Sequence, residues 1–354
     1  MEGDFIKINK WLLPLSWCYG VGVKLRNLLF DTGVLKSRSF QVPVIAVGNI
    51  TVGGTGKTPH VEYLAGVLKG LFKVAVLSRG YKRHGKGFII ANADTPMRTI
   101  GDEPYQMKQK FPGVTIAVDK NRCHGIDMLV ENDSKLDVVL LDDAFQHRYV
   151  QAGMNILLTD YHRLITDDEL LPAGRLREPI TAKERAQIVI VTKCPSDMKP
   201  MDFRVIQQAL HLKPYQQLFF STFRYGRLRR LFSNIPGPEE ELTPDTYVLL
   251  LTGIASPQQM MIDLRRSTRH ITPMFFSDHH RFTTHDVQDI EEAFTAMQGS
   301  KRLIITTEKD ASRLLLIQDL SPIVRRHIYV LPIEVEILRD EADDFYQLIT
   351  DYIQ

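Results

Sequence analysis

Four groups of residues carry side chains and spacings that could do chemistry. The first is Gly48-Asn49-Ile50-Thr51-Val52-Gly53-Gly54-Thr55-Gly56-Lys57-Thr58-Pro59. Glycines let a backbone wrap closely, so that successive N–H groups point at phosphate oxygens. Lys57 is placed to reach the outer phosphates, and Thr58 to offer its hydroxyl to a magnesium ion. The second group closes an apolar run, Leu136-Asp137-Val138-Val139-Leu140-Leu141-Asp142-Asp143. Carboxylates at such a strand end commonly hold Mg²⁺ or its water shell beside a phosphate loop. Gln146 and His147 follow at the same edge.

The third group, Gly101-Asp102-Glu103-Pro104, puts two acids in a turn before a helix. One of them could accept the proton of a hydroxyl nucleophile. Read locally, Asp102 is also a helix N-cap, with Glu103 and Pro104 in the first turn. The fourth group is Asp278-His279-His280-Arg281-Phe282. Adjacent residues of an extended strand face opposite ways, so one functional histidine is expected there rather than a metal-binding pair.

Something must hold these groups together. Residues 43–48, 74–78, 115–118, 137–141, 155–159 and 188–192 are short, β-branched apolar runs. Such runs suit strands covered on both faces, as in a parallel sheet. Helical stretches such as 58–70 and 103–111 alternate with them, which predicts βαβ units. The glycine-rich loop then lies between a strand and a helix, where the helix's positive end adds to anion attraction. The stretch 226–245 is rich in Pro, Gly and acids and reads as a linker. Further runs at 248–253, 303–307 and 328–333 predict a second, smaller α/β domain over 246–354.

Composition excludes several classes. At 44% hydrophobic and 24% charged residues, the 354-residue chain is globular rather than disordered. Its net charge of +2 does not call for nucleic acid as a partner. The three cysteines, Cys18, Cys123 and Cys194, are far apart and form no C-x-x-C pair, so neither a disulfide framework nor a structural zinc is expected. A GTPase would carry N-K-x-D after a late strand. Here Thr192-Lys193-Cys194-Pro195 lacks the guanine-reading carboxylate, which favours ATP over GTP. No heptad run suggests self-association, and a monomer is expected.

Residues 1–38 differ from the rest. Both tryptophans, Trp11 and Trp17, fall among apolar residues flanked by six bases and three acids. The uncharged run from Trp11 to Val23 is too short to span a bilayer, which takes roughly 20 residues. From these residues alone, two readings stand: a segment lying in a membrane interface, or a helix packed on the protein core. Pro14 interrupts the apolar run.

Taken in order, GN-x-x-VGGTGKTP, SRGY (78–81), GDEP (101–104), LLDDAFQHR (140–148), LLPAGRLREP (170–179), SDHHRF (277–282) and TTEKDASRL (306–314) resemble the tetraacyldisaccharide 4'-kinases. The resemblance covers almost the whole chain. It implies an α/β fold: a P-loop NTPase-like, mostly parallel sheet with helices on both faces (39–225), and a smaller C-terminal α/β domain. It also implies ATP and Mg²⁺, and an acylated disaccharide 1-phosphate lipid phosphorylated at its 4'-hydroxyl to give lipid IV-A. It implies peripheral attachment to the cytoplasmic face of the bacterial inner membrane, with 1–38 as the membrane-interface segment. Under this resemblance Asp102 is the base, His279 its assistant from the other domain, and Lys57 the stabiliser of the transferring phosphoryl group. Thr51, Val52, Gly53, Gly54, Thr55, Gly56, Lys57 and Thr58 form the nucleotide loop. Ser78, Gln146, His147, Arg177 and Glu178 line the same site. Thr58, Glu103, Asp142 and Asp143 are the expected metal ligands or their neighbours.

Overall fold

The computed structural model describes residues 8–235, 241–254, 257–277, 280–317 and 320–354. The chain divides into two compact units, residues 1–223 with 335–354, and residues 224–334.

The larger unit opens with α1 (Leu13–Asp31). Then come β1 (Val44–Gly48), α2 (Lys57–Leu68), β2 (Val74–Ser78), β3 (Ile89–Ile90), α3 (Met97–Ile100), α4 (Asp102–Lys110), β4 (Thr115–Val118) and α5 (Arg122–Asn132). After these follow β5 (Val138–Asp142), β6 (Met154–Asp160), β7 (Ile188–Thr192), α6 (Pro200–Leu210) and β8 (Gln217–Tyr225). The smaller unit holds β9 (Arg229–Arg230), β10 (Tyr247–Thr252), α7 (Pro257–Leu264), β11 (His270–Phe275), α8 (Thr284–Ala296), β12 (Arg302–Thr307), α9 (Glu308–Leu314), α10 (Pro322–His327) and β13 (Ile328–Leu331). The chain returns to the larger unit through β14 (Ile333–Ile337) and ends in α11 (Ala342–Ile353).

Among the described residues the larger sheet runs β14-β8-β7-β6-β1-β5-β2-β4-β3. β1 lies between β5 and β6, parallel to both. Strands β1, β2, β5 and β7 are buried at every position. This is why their sequences are continuously apolar instead of alternating. Because β1, β2 and β5 are parallel neighbours, their carboxyl ends share one edge. That edge is where open α/β sheets bind ligands. The smaller sheet, β11-β10-β12-β13-β9, is parallel except for β9.

Two expectations about domains are corrected. Residues 335–354 belong to the larger unit, where Phe345, Ile349 and Ile353 enter its core. Residues 226–245 are not simply a linker, because β9 adds an edge strand to the smaller sheet. In α1, Pro14 sits in the first turn. There its missing N–H breaks no helical hydrogen bond, so the helix runs on unbroken.

The N-terminal helix has a docked face and an exposed apolar one. One face of α1 packs on the larger unit. Ser16 Oγ donates to Leu170 O at 2.9 Å and accepts from Ala173 N at 2.9 Å. Tyr19 donates to Arg177 O at 2.8 Å, and Arg26 to Gln146 O at 3.0 Å. Leu15, Trp17, Val21, Leu25 and Leu28 of α1 are exposed, as is Trp11 in the 3₁₀ turn before it. At 100° per residue the five helical residues share the opposite half of the helical circumference. No helix among the described residues is long and apolar enough to cross a membrane.

Candidate active site

The glycine-rich loop, residues 49–56, leaves β1 at Gly48. A Cβ there would lie 2.7 Å from Phe145 Cβ and 2.9 Å from Phe145 N, so glycine is required for the close approach of the 144–146 turn. The buried Asn49 side chain braces the loop from inside, donating to Thr51 Oγ1 at 3.1 Å and Thr55 Oγ1 at 2.8 Å. From outside, Gln146 Nε2 donates to Asn49 O. Val52 N donates to Arg175 O at 2.8 Å, so it spends its amide on the loop's own support. Gly53 and Gly54 have open space where a Cβ would stand. Thr192 Oγ1 donates to Thr55 O at 3.0 Å. Gly56 is in the left-handed region at φ 83° and caps α2, so Lys57 and Thr58 fall in the helix's first turn.

His60, which sequence reading passed over, locks this cap. It is fully buried, and burial pushes its pKa down to about 4. Its Nδ1 lies 2.7 Å from Gly56 O, which can only accept, so Nδ1 carries the proton. Its Nε2 then accepts from the Ser221 hydroxyl at 2.9 Å.

The carboxylates gather where β2 and β5 end. Asp142 is buried at 2% exposure. Ser78 Oγ donates to its Oδ2 at 3.2 Å, while its Oδ1 is buried with no hydrogen-bond partner. Its pKa is pushed up to about 7, first by burial, then by the neighbouring charges of Glu103 and Asp143, against the pull of Lys57 and Arg122. Asp143 takes the left-handed conformation at φ 47°, which an Asp tolerates better than most residues. Its two oxygens lie 3.6 Å from Lys57 Nζ and 3.7 Å from Arg177 Nη1.

Arg177 is a clamp rather than a wall. Its Nε donates to Thr51 O at 3.0 Å, and its backbone N donates to Ile50 O at 2.7 Å. Glu178 turns the other way, buried in an ion pair with Arg185 and 3.8 Å from Arg26 Nη1. His147 is half-buried beside the same turn. Burial, with Arg122, Arg26 and Arg79 nearby, lowers its pKa to about 4.

Gly101, at φ 97°, is the N-cap of α4, so Asp102 is the first helical residue, with Glu103 next. His279 lies outside the described residues. Its neighbour His280 is engaged: Nε2 lies 3.0 Å from Asp286 Oδ2, and its ring stacks on Phe276. Arg122 is a second residue that sequence reading missed. Its buried guanidinium donates to Asp119 O at 2.6 Å and Asp142 O at 3.2 Å, and burial lowers its pKa to about 10. Nothing in N-R-C-H-G marks it, because its role depends on strands distant in sequence.

A divalent cation fits this corner. Asp142 Oδ1 is buried without a hydrogen-bond partner, and Glu103 and Asp143 crowd it with negative charge that a cation would offset alongside Lys57 and Arg122. Among the described residues no three or more acidic, His or Cys side chains already form a cage. Mg²⁺ takes one or two carboxylates and fills its octahedron with phosphate oxygens and water.

A family model described as "Tetraacyldisaccharide-1-P 4'-kinase" matches residues 8–354. The chain belongs to this kinase family. A tetraacyldisaccharide 4'-kinase of Bacteroides fragilis is 56% identical across 100% of this chain and 96% of its own length. One from Flavobacterium johnsoniae is 42% identical across 98% of each. The kinase is also similar to the crystal structure of LpxK from Aquifex aeolicus in complex with ATP. The TM-score is 0.73 at 29% identity, covering 97% of this chain and 99% of that one. The sequence-level resemblance and the α/β fold are thus borne out together.

Proposed function

We propose that this kinase transfers the γ-phosphoryl group of ATP to the 4'-hydroxyl of a tetraacyldisaccharide 1-phosphate, at the cytoplasmic face of the bacterial inner membrane. The observation that carries the reading is the buried Asp142, one oxygen unpartnered, beside Lys57 and Asp143 at the mouth of the phosphate loop. In this proposal the loop amides and Lys57 hold the phosphates. Thr58 would ligate Mg²⁺, with Asp142, Asp143 and Glu103 as further ligands or neighbours of its water shell, and the ion would supply charge neutralisation on the phosphates. The Asp102 carboxylate takes the proton of the acceptor hydroxyl as its oxygen bonds to the γ-phosphorus and the bond to ADP breaks. His279 would assist Asp102.

The exposed apolar half of α1 would lie in the membrane interface, with Trp11 and Trp17 at headgroup depth. Its docked half is tied by Tyr19 and Arg26 to the turns that brace the phosphate loop.

The test is transfer of ³²P from [γ-³²P]ATP to the tetraacyldisaccharide 1-phosphate in mixed micelles. Mg²⁺-dependent label in the lipid, lost in Lys57→Ala, Asp102→Asn and His279→Ala, is expected. Label that persists in Asp102→Asn would overturn the assignment of the base. Label that persists in His279→Ala would overturn the assisting role.

A further inference from the structure

Glu62 lies on α2, the phosphate-loop helix, four residues after Thr58, and is only 4% exposed. Its Oε1 accepts from Gln106 Nε2 at 2.8 Å, and its Oε2 lies 2.7 Å from the Lys110 ammonium. Gln106 and Lys110 are one helical turn apart on α4, and Gln106 is four residues after Asp102. Residues i and i+4 of a helix stand on one face. Glu62 therefore sits one turn below Thr58, and Gln106 one turn below Asp102.

Its neighbours on α2, Val61, Leu64 and Ala65, are buried apolar residues, so packing alone would be served by another such side chain. A buried carboxylate is costly unless donors hold both of its oxygens, and here donors from α4 hold both. Directional bonds fix how far one helix slides along another, whereas apolar contacts tolerate sliding.

We infer that Glu62 is a positioning residue that sets α4 against α2, and so sets the Asp102 carboxylate at its working distance from the phosphates held by Lys57 and Thr58. The inference rests on the reading of Asp102 as the base given above. Transfer between two bound groups is sensitive to their separation, and an error of about 1 Å costs on the order of 10²-fold in rate.

The test compares Glu62→Met with Lys110→Met, which breaks the same bridge from the other helix, in the full chain. Each is expected to lower kcat by about tenfold or more, with KM for ATP within about twofold, because the phosphate loop itself is untouched. The exchanged pair Glu62→Lys with Lys110→Glu is expected to recover most of the lost kcat. If Glu62→Met melts cooperatively and keeps kcat within about twofold, the inference is overturned. A rise in KM for ATP that matches the fall in kcat overturns it too, since that marks a damaged loop. Should Glu62→Met fail to fold, Lys110→Met decides by the same criteria. Asp102→Asn, assayed alongside, separates the two failures. Turnover retained in Asp102→Asn overturns the base assignment. Turnover lost there but kept in Glu62→Met overturns the positioning role alone.

Discussion

Ser78 Oγ donates to one oxygen of Asp142 at 3.2 Å, and no donor among the described residues reaches the other. Both side chains are buried, at the adjoining ends of β2 and β5. This half-satisfied carboxylate is one group through which stability should depend on pH. The Asp142 pKa rises from 3.8 to about 7 on folding, so between these values the native state holds a proton that the unfolded chain has lost. Stability from this group is complete at low pH and falls as pH rises through that window. His60 and His147, lowered to about 4, act in the opposite sense and lose their contribution as pH falls from about 6.5.

A cation at Asp142 needs the carboxylate, so binding of Mg²⁺ should strengthen as pH rises through about 7. Thermal melts with and without Mg²⁺ check this. The metal-induced rise in Tm should be larger at about pH 8 than at about pH 6, and Asp142→Asn should remove most of that difference.

Arg177→Lys should raise KM for ATP severalfold with a smaller effect on kcat. Lysine cannot reproduce a guanidinium that bonds Thr51 O at 3.0 Å while facing Asp143 at 3.7 Å. Steady-state kinetics at varied ATP would reveal the loosened loop, and an unchanged KM would show that Arg177 is dispensable to it.

The chain's two tryptophans, Trp11 in the turn before α1 and Trp17 on α1 itself, are 93% and 79% exposed on the same side. Intrinsic tryptophan emission therefore reports on that face alone. Adding anionic phospholipid vesicles should shift emission to the blue, and Val21→Lys with Leu25→Glu should reduce both the shift and co-sedimentation with vesicles. Phosphate-loop binding of nucleotide should be unaffected.

Gly48→Ala should destabilise the larger unit by about 1–3 kcal/mol, the usual cost of forcing extra atoms into a packed core. The new Cβ would stand 2.7 Å from Phe145 Cβ and 2.9 Å from a backbone nitrogen that cannot rotate away. Urea unfolding of the two proteins measures the difference.

Local sequence determined the parts that depend on near neighbours. Apolar runs such as 188–192 had to be covered strands because water excludes them from both faces, and the glycine-rich turn Gly53 to Thr58 between a strand and a helix was legible because its signal is contiguous. The ordered motifs carried the family as well. Tertiary structure alone decided what depends on distant residues meeting. Arg122 and His60 became part of the site through Asp142 and Ser221, 20 and 161 residues away. Glu62 became a bridge because α4 lies against α2, although its sequence context reads as an ordinary helix surface. The return of 335–354 to the larger unit was equally hidden, since an α/β segment can satisfy its apolar face against either sheet. Spacing along a chain encodes local geometry, and partnership across it is set only when the whole core closes.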